Sequence, residues 1–256
     1  MKVISALSLA GGQGKTTLIL LLAKILSQRG KRVLTIDSDP QANLTFFLGQ
    51  DPSEQDPTLL EVLKGIIDTE DGIYPTDEEN LFIIPSDRGL ATVSEYLSSS
   101  GTGAFILKLR LKPIASLFDY VLVDVQPSRS QISLTAVGAT DLALISAETT
   151  TKGVNSLLDT LNFLESQEQL MAFQGEILGV VPFRDRWVGN TQTRDSRDSV
   201  EAMKEIAEGV QIFPSIRESE QFKKAIRQNQ TLTQLGYADL DYPFEKIVKT
   251  LEENHE

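Results

Sequence analysis

Apolar residues fall into short unbroken runs, separated by longer stretches in which they recur every three or four positions. Residues 3–9, 32–36, 120–125 and 142–147 are rich in Val, Ile and Leu and bounded by polar residues or Gly, which predicts core strands. Residues 81–84 and 176–181 are weaker strand candidates. Helical spacing covers residues 16–29, 103–116, 154–169, 193–208 and 218–228. Strands that are apolar on both faces and alternate with helices predict an α/β fold, with a mostly parallel central sheet and helices on both faces. The polar, Pro-containing stretches at 50–57 and 68–80 read as surface loops rather than linkers. With no internal repeat, residues 1–256 are expected to form a single domain.

Composition removes several function classes. There is no Cys, which excludes a disulfide framework, a thiolate metal site and a cysteine nucleophile, and the one His, His255, lies in the tail. The apolar N-terminal run resembles a signal peptide in composition but leads straight into Gly11-Gly12-Gln13-Gly14-Lys15, so it reads as a buried strand. No stretch approaches the roughly 20 apolar residues of a membrane helix, and a cytoplasmic protein is expected. The net charge of −12 is unevenly spread: residues 31–100 carry 14 acidic and 4 basic side chains, whereas residues 182–227 carry 9 basic and 8 acidic. A local basic face is therefore compatible with an acidic chain.

The chemistry begins after the first predicted strand, where Ala10-Gly11-Gly12-Gln13-Gly14-Lys15-Thr16-Thr17 leads directly into a helix. Glycines there let backbone N–H groups curl toward phosphate oxygens above the positive end of the helix. Gly11, Gly12, Gln13 and Gly14 form the candidate cradle, Lys15 reaches the β- and γ-phosphates, and the Thr16 hydroxyl ligates Mg²⁺. Asp37 and Asp39 stand at the carboxyl end of the second strand, the edge at which open α/β sheets bind ligands. Asp124 ends the apolar strand at 120–124, as in a Walker B segment that holds Mg²⁺ through water.

Gly-Gly-x-Gly-Lys-Thr-Thr, the run Asp37-Ser38-Asp39-Pro40-Gln41-Ala42-Asn43, and Tyr120 to Asp124 together resemble the ParA/MinD family of deviant Walker A ATPases, over the first two-thirds of the chain. The resemblance implies a homodimer assembled with ATP and Mg²⁺, and slow hydrolysis stimulated by an activating cargo-adaptor protein. It also implies residue roles: Asp39 positions or activates the attacking water, Asp37 supports the metal's surroundings, Asp124 is the Walker B carboxylate and Thr17 contacts the α-phosphate. The family's signature lysine is Ala10 here. A carboxysome-positioning subgroup shares that departure and supplies a lysine from a later segment, for which Lys152 is the candidate. The catalytic set is then Lys15, Asp39 and Lys152. Val125-Gln126-Pro127 also departs from the Thr-Pro-Pro usual after the Walker B carboxylate.

Cargo-positioning members of that family bind nonspecific DNA as ATP dimers and so associate with the nucleoid. The candidate surface is Arg217, Lys223, Lys224 and Arg227, expected on one helix with Arg217, Lys224 and Arg227 sharing a face, and extended by Arg184, Arg186, Arg194 and Arg197. The preceding segment, residues 212–220, resembles the family's nucleotide-base loop, which assigns Pro214 to the cofactor. No membrane partner is expected. The stripe Phe244, Ile247, Val248 and Leu251 is accompanied by Glu252, Glu253 and Glu256, which anionic lipid would repel, so it reads as core packing. The alternatives are a plasmid-partition ATPase, or an ATP-dependent ligase of the dethiobiotin synthetase kind, which needs an acceptor pocket that the sequence does not identify.

Overall fold

The computed structural model describes residues 1–253; the expectations placed on His255 and Glu256 concern residues outside that range. Among the described residues there are ten strands: β1 (Lys2–Leu7), β2 (Val33–Asp37), β3 (Tyr74–Pro75), β4 (Leu81–Ile84), β5 (Tyr120–Asp124), β6 (Leu142–Glu148), β7 (Glu176–Asp185), β8 (Trp187–Val188), β9 (Thr191–Gln192) and β10 (Ile216–Arg217). The helices are α1 (Lys15–Gln28), α2 (Asn43–Phe47), α3 (Leu59–Lys64), α4 (Val93–Ser99), α5 (Ile106–Leu111), α6 (Gln131–Ala139), α7 (Thr151–Gln169), α8 (Arg194–Ile206), α9 (Gln221–Arg227) and α10 (Ala238–Glu253). Eight strands form one sheet in the order β10-β7-β6-β1-β5-β2-β4-β3, parallel throughout except for the β3–β4 pair.

Alternation along each strand explains the two helical layers. Val3, Leu34, Ile36, Val121, Val123 and Ile145 pack into one core, while Ile4, Val33, Tyr120, Leu122 and Leu144 pack into the other. Helices α3 to α8 supply the first layer, whereas α1, α9 and α10 supply the second. Phe244, Ile247, Val248 and Leu251 of α10 are all buried in that second core, as the stripe predicted. No helix among the described residues is long and apolar enough to cross a membrane.

The strand at 81–84 falls where the pattern put it, β5 stops one residue short of the expected 120–125, and β7 runs four residues further than expected, to Asp185. The helix expected over 218–228 is corrected: it starts at Gln221, and Arg217 belongs to a strand. Ile216 and Arg217 pair with Phe183 and Asp185 of β7, and the Glu218 N–H donates to the Asp185 carbonyl at 2.9 Å. Backbone groups committed to the sheet edge cannot also close a helical turn. Arg217 therefore does not share a helical face with Lys224 and Arg227.

Candidate nucleotide site

β1 lies between β5 and β6 at the centre of the sheet, and its carboxyl end carries the glycine-rich loop into α1. Gly12 and Gly14 have φ of 82° and 88°, the left-handed region that glycine occupies without a Cβ clash. At Gly14 a Cβ would also lie 2.6 Å from the Phe183 ring. The first turn of α1 has neither an acidic residue nor a side-chain cap, so its N–H groups remain available to an anion. Side chains from behind fasten the loop. Ser156 accepts from the Ala10 N–H at 3.2 Å, Thr160 accepts from the Leu9 N–H at 3.1 Å, and the Gln13 side-chain carbonyl accepts from the Glu148 N–H at 2.7 Å. Ser146 donates to the Gln13 backbone carbonyl.

In front of this loop is a cavity of about 400 Å³ lined by Gly11 through Thr17, Asp39, Asp124 and Arg184, with Asn43, Phe47, Val125, Pro127 and Phe183 completing its wall. Lys15 is buried, and its Nζ donates to the Ala10 carbonyl at 3.4 Å. Burial lowers its pKa, against the opposing pull of Asp124 and Asp39. The Thr16 hydroxyl donates to Asp124 Oδ2 at 2.6 Å. Asp124 is pushed up to about 7, first by burial and then by the neighbouring Asp37 charge. Sheet register explains that proximity, since Asp37 and Asp124 are direct partners across β2 and β5.

Asp37 is fully buried and does not line the cavity. Its Oδ2 accepts from both the N–H and hydroxyl of Thr45, at 2.9 and 2.8 Å, and its Oδ1 accepts from the Asp39 N–H at 3.1 Å. Burial raises its pKa to about 6 despite those bonds. It thus braces α2 and Asp39 from behind the wall. Asp39 itself faces the cavity, with Oδ1 accepting from the Gln41 N–H at 2.9 Å.

The donor chemistry fits ATP with Mg²⁺. Hydroxyl and carboxylate oxygens from Thr16 and Asp124 suit a hard cation, and two buried carboxylates held above their usual pKa are relieved by positive charge. Among the described residues no group of three or more carboxylates or imidazoles is placed to hold a metal.

Apart from Arg184, the remaining expected residues do not line the cavity. Lys152, in the first turn of α7, is exposed beside the loop, with Nζ donating to the Gly11 carbonyl at 3.5 Å. Pro214 lines a separate hollow of about 250 Å³ with Trp187, Arg217 and Tyr242. The exposed Arg217 guanidinium stacks 4.1 Å from the Trp187 ring centroid. Lys223 pairs with Glu220 at 3.0 Å, and Lys224 and Arg227 occupy α9. Arg184, placed by sequence with the basic surface, instead joins the cavity wall, bonded to Glu148 at 3.2 Å. Phe47 and Phe183 went unremarked in the sequence, because an aromatic wall residue has the same local pattern as a core residue.

A family model described as an AAA domain matches residues 1–172. Maintenance of carboxysome distribution protein A (McdA) of Gloeothece citriformis is 52% identical over 251 residues, covering 98% of this chain and 97% of its own. The chain belongs to the McdA family of ParA/MinD-like ATPases. A Cyanothece McdA–ATP complex, of a variant with one aspartate replaced by alanine, superposes with a TM-score of 0.96 at 51% identity, covering 98% of this chain and 96% of that one. Cobyrinic acid a,c-diamide synthase of Mycobacterium smegmatis with bound ADP and magnesium has the same layout, with a TM-score of 0.76 at 26% identity over 89% of this chain and 91% of its own. The McdA likeness runs on through α8, α9 and α10, beyond the part that the AAA-domain model covers.

Proposed function

We propose that this chain is an ATP-hydrolysing positioning switch. A single P-loop domain pairs with a second copy when ATP is bound, holds nonspecific DNA in that state, and releases it when a cargo-adaptor protein stimulates hydrolysis. The proposed cargo is the carboxysome, and the proposed setting is the cytoplasm, with nucleoid association in the ATP state. The observation that carries this reading is the full-length likeness to proteins named for carboxysome distribution, on a chain that gathers Gly11 to Thr17, Asp39 and Asp124 around one cavity.

Each residue has a physical task. The loop N–H groups and the start of α1 hold phosphate, while Lys15 exchanges the Ala10 carbonyl for phosphate oxygens. Thr16 and Asp124 would hold Mg²⁺, which when bound neutralises charge on the β- and γ-phosphate oxygens. Asp39, kept in place by its bond to Gln41 and by Asp37 behind it, orients the water. Lys152 reaches the other copy's phosphates and offsets the repulsion between two apposed triphosphates. Its exposed amine beside Gly11 supports that reach.

Likeness to an amide-forming synthase favours one rival, a ligase that uses ATP to activate a carboxylate. Turnover separates the two. A positioning switch hydrolyses ATP with no small-molecule acceptor and speeds up with DNA and an adaptor protein, whereas a ligase stays silent until an acceptor is added.

A further inference from the structure

An apolar hollow lies on the surface away from the nucleotide cavity. It measures about 340 Å³ and is lined by Thr102, Phe105, Ile106, Lys108, Leu109 and Lys112. Phe105, Lys108, Leu109 and Lys112 follow the spacing i, i+3, i+4, i+7 along α5 and its flanking turns, so they form one stripe. Phe105 and Leu109 are 38% and 56% exposed. The turn after α7 closes on the same place: Gln174 accepts from Lys108 at 3.5 Å, and a Cβ at Gly138 would touch the carbonyls of both Ala104 and Ala172. That turn displays Leu170 and Met171, at 72% and 65% exposure. Phe105 and Leu109 line the hollow side by side, and Leu170 and Met171 precede the Gln174 contact by four and three residues, which exceeds the scattered singles of an ordinary surface.

Charge specifies the occupant. Residues 101–118 carry Lys108, Arg110 and Lys112 and no acidic residue, in a chain of net charge −12. Neither Lys108 nor Lys112 forms an ion pair among the described residues. Two amines one helical turn apart, beside two apolar side chains one turn apart, complement a helix with apolar residues on one face and carboxylates along its edge. We propose that this cation-edged groove on α5 docks an acidic amphipathic helix of a partner protein. The Leu107 N–H donates to the Thr135 hydroxyl of α6 at 3.0 Å, and α6 starts a few residues after Asp124. An occupied groove is therefore one helix away from the nucleotide cavity. The proposal stands on the groove alone and holds whatever the cargo is.

The test uses the full chain and a short synthetic helix bearing Leu on one face and Glu along its edge, with a permuted peptide of the same composition as control. Amide chemical-shift mapping should place the peptide on residues 102–112 and 170–174. Fluorescence anisotropy should show affinity falling at least about tenfold when Lys108→Glu and Lys112→Glu are combined, and falling again in high salt. Both lysines reach solvent, so the double variant should melt like the parent, and Leu109→Ser should weaken binding without touching charge. Shifts elsewhere, or equal affinity for the charge-reversed chain or the permuted peptide, would overturn the proposal. So would binding to phosphatidylglycerol vesicles with none to the peptide, or self-association of the unliganded chain that Leu109→Ser abolishes.

Discussion

Gly14→Ala is a sharp perturbation, because two separate costs meet at one atom. The backbone there sits at φ 88°, where an added Cβ costs about 1 kcal/mol in local strain. The same Cβ would lie 2.6 Å from ring carbons of Phe183, which is 7% exposed and further covered by the Arg184 guanidinium at 5.6 Å. Overpacking of that kind costs about 1–3 kcal/mol, so the variant should lose about 2–4 kcal/mol of stability in urea unfolding. Because relief requires the loop or the ring to move, ATP affinity should fall as well. Phe183→Ala alone should cost about 3 kcal/mol through the cavity it leaves. The double variant separates the two costs. With the ring gone the added methyl has room, and the combined loss should fall short of the sum by about 1–3 kcal/mol. If the two losses simply add, or if Gly14→Ala unfolds and binds ATP like the parent, the ring does not seal the loop and the reasoning fails.

The buried carboxylates set a pH dependence whose sign follows from their raised values of about 6 and about 7. Folded Asp37 and Asp124 keep protons that the unfolded chain has already released, so the stability they contribute is present near pH 4 and is lost as pH rises toward 7. Thermal melts of nucleotide-free protein should show this slope, and Asp124→Asn should flatten it; an unchanged slope would contradict the placement. Mixing Lys15→Ala with Lys152→Ala protein should restore ATPase above the sum of the two, since one site of each heterodimer then has a sound loop and a sound crossing lysine. Full activity of Lys152→Ala alone would end that reading. If Arg217, Lys224 and Arg227 of each copy each meet a phosphate from their separate elements, about six contacts per dimer, DNA affinity should fall by roughly 10³ between 50 and 200 mM salt. Combining Arg217→Glu with Arg227→Glu should abolish it while sparing ATP-dependent pairing; normal binding by that variant would move the surface elsewhere.

The sheet and the phosphate loop were legible because each rests on local chemistry: apolar runs for buried strands, and a strand, glycines, lysine and helix in immediate succession. What stayed hidden depends on long-range pairing. Ile216 and Arg217 look like the approach to a helix, and their strand exists because β7 extends to Asp185 and receives them. Helix α6 reads as a short apolar run of undecided type until Ser130 is seen to cap it by accepting from the Ser133 N–H. The hairpin of β8 and β9 turns on Gly189-Asn190, a legible two-residue signal, but its strands of two residues carry no alternation to read. Arg184 was ambiguous for another reason. It falls in a stretch that also holds Arg186, Arg194 and Arg197, and its place in the cavity wall goes with a backbone φ of 54° that composition does not reveal.

ATP-dependent pairing is tested most directly by sedimentation of Asp39→Ala protein with and without ATP and Mg²⁺. The substitution removes the group proposed to orient water and leaves Gly11 to Thr17 and Asp124 of the cavity in place, so ATP should bind normally, persist unhydrolysed and hold two copies together. A stable dimer with ATP and a monomer without it is the expected result. A monomer that binds ATP with undiminished affinity would contradict the switch.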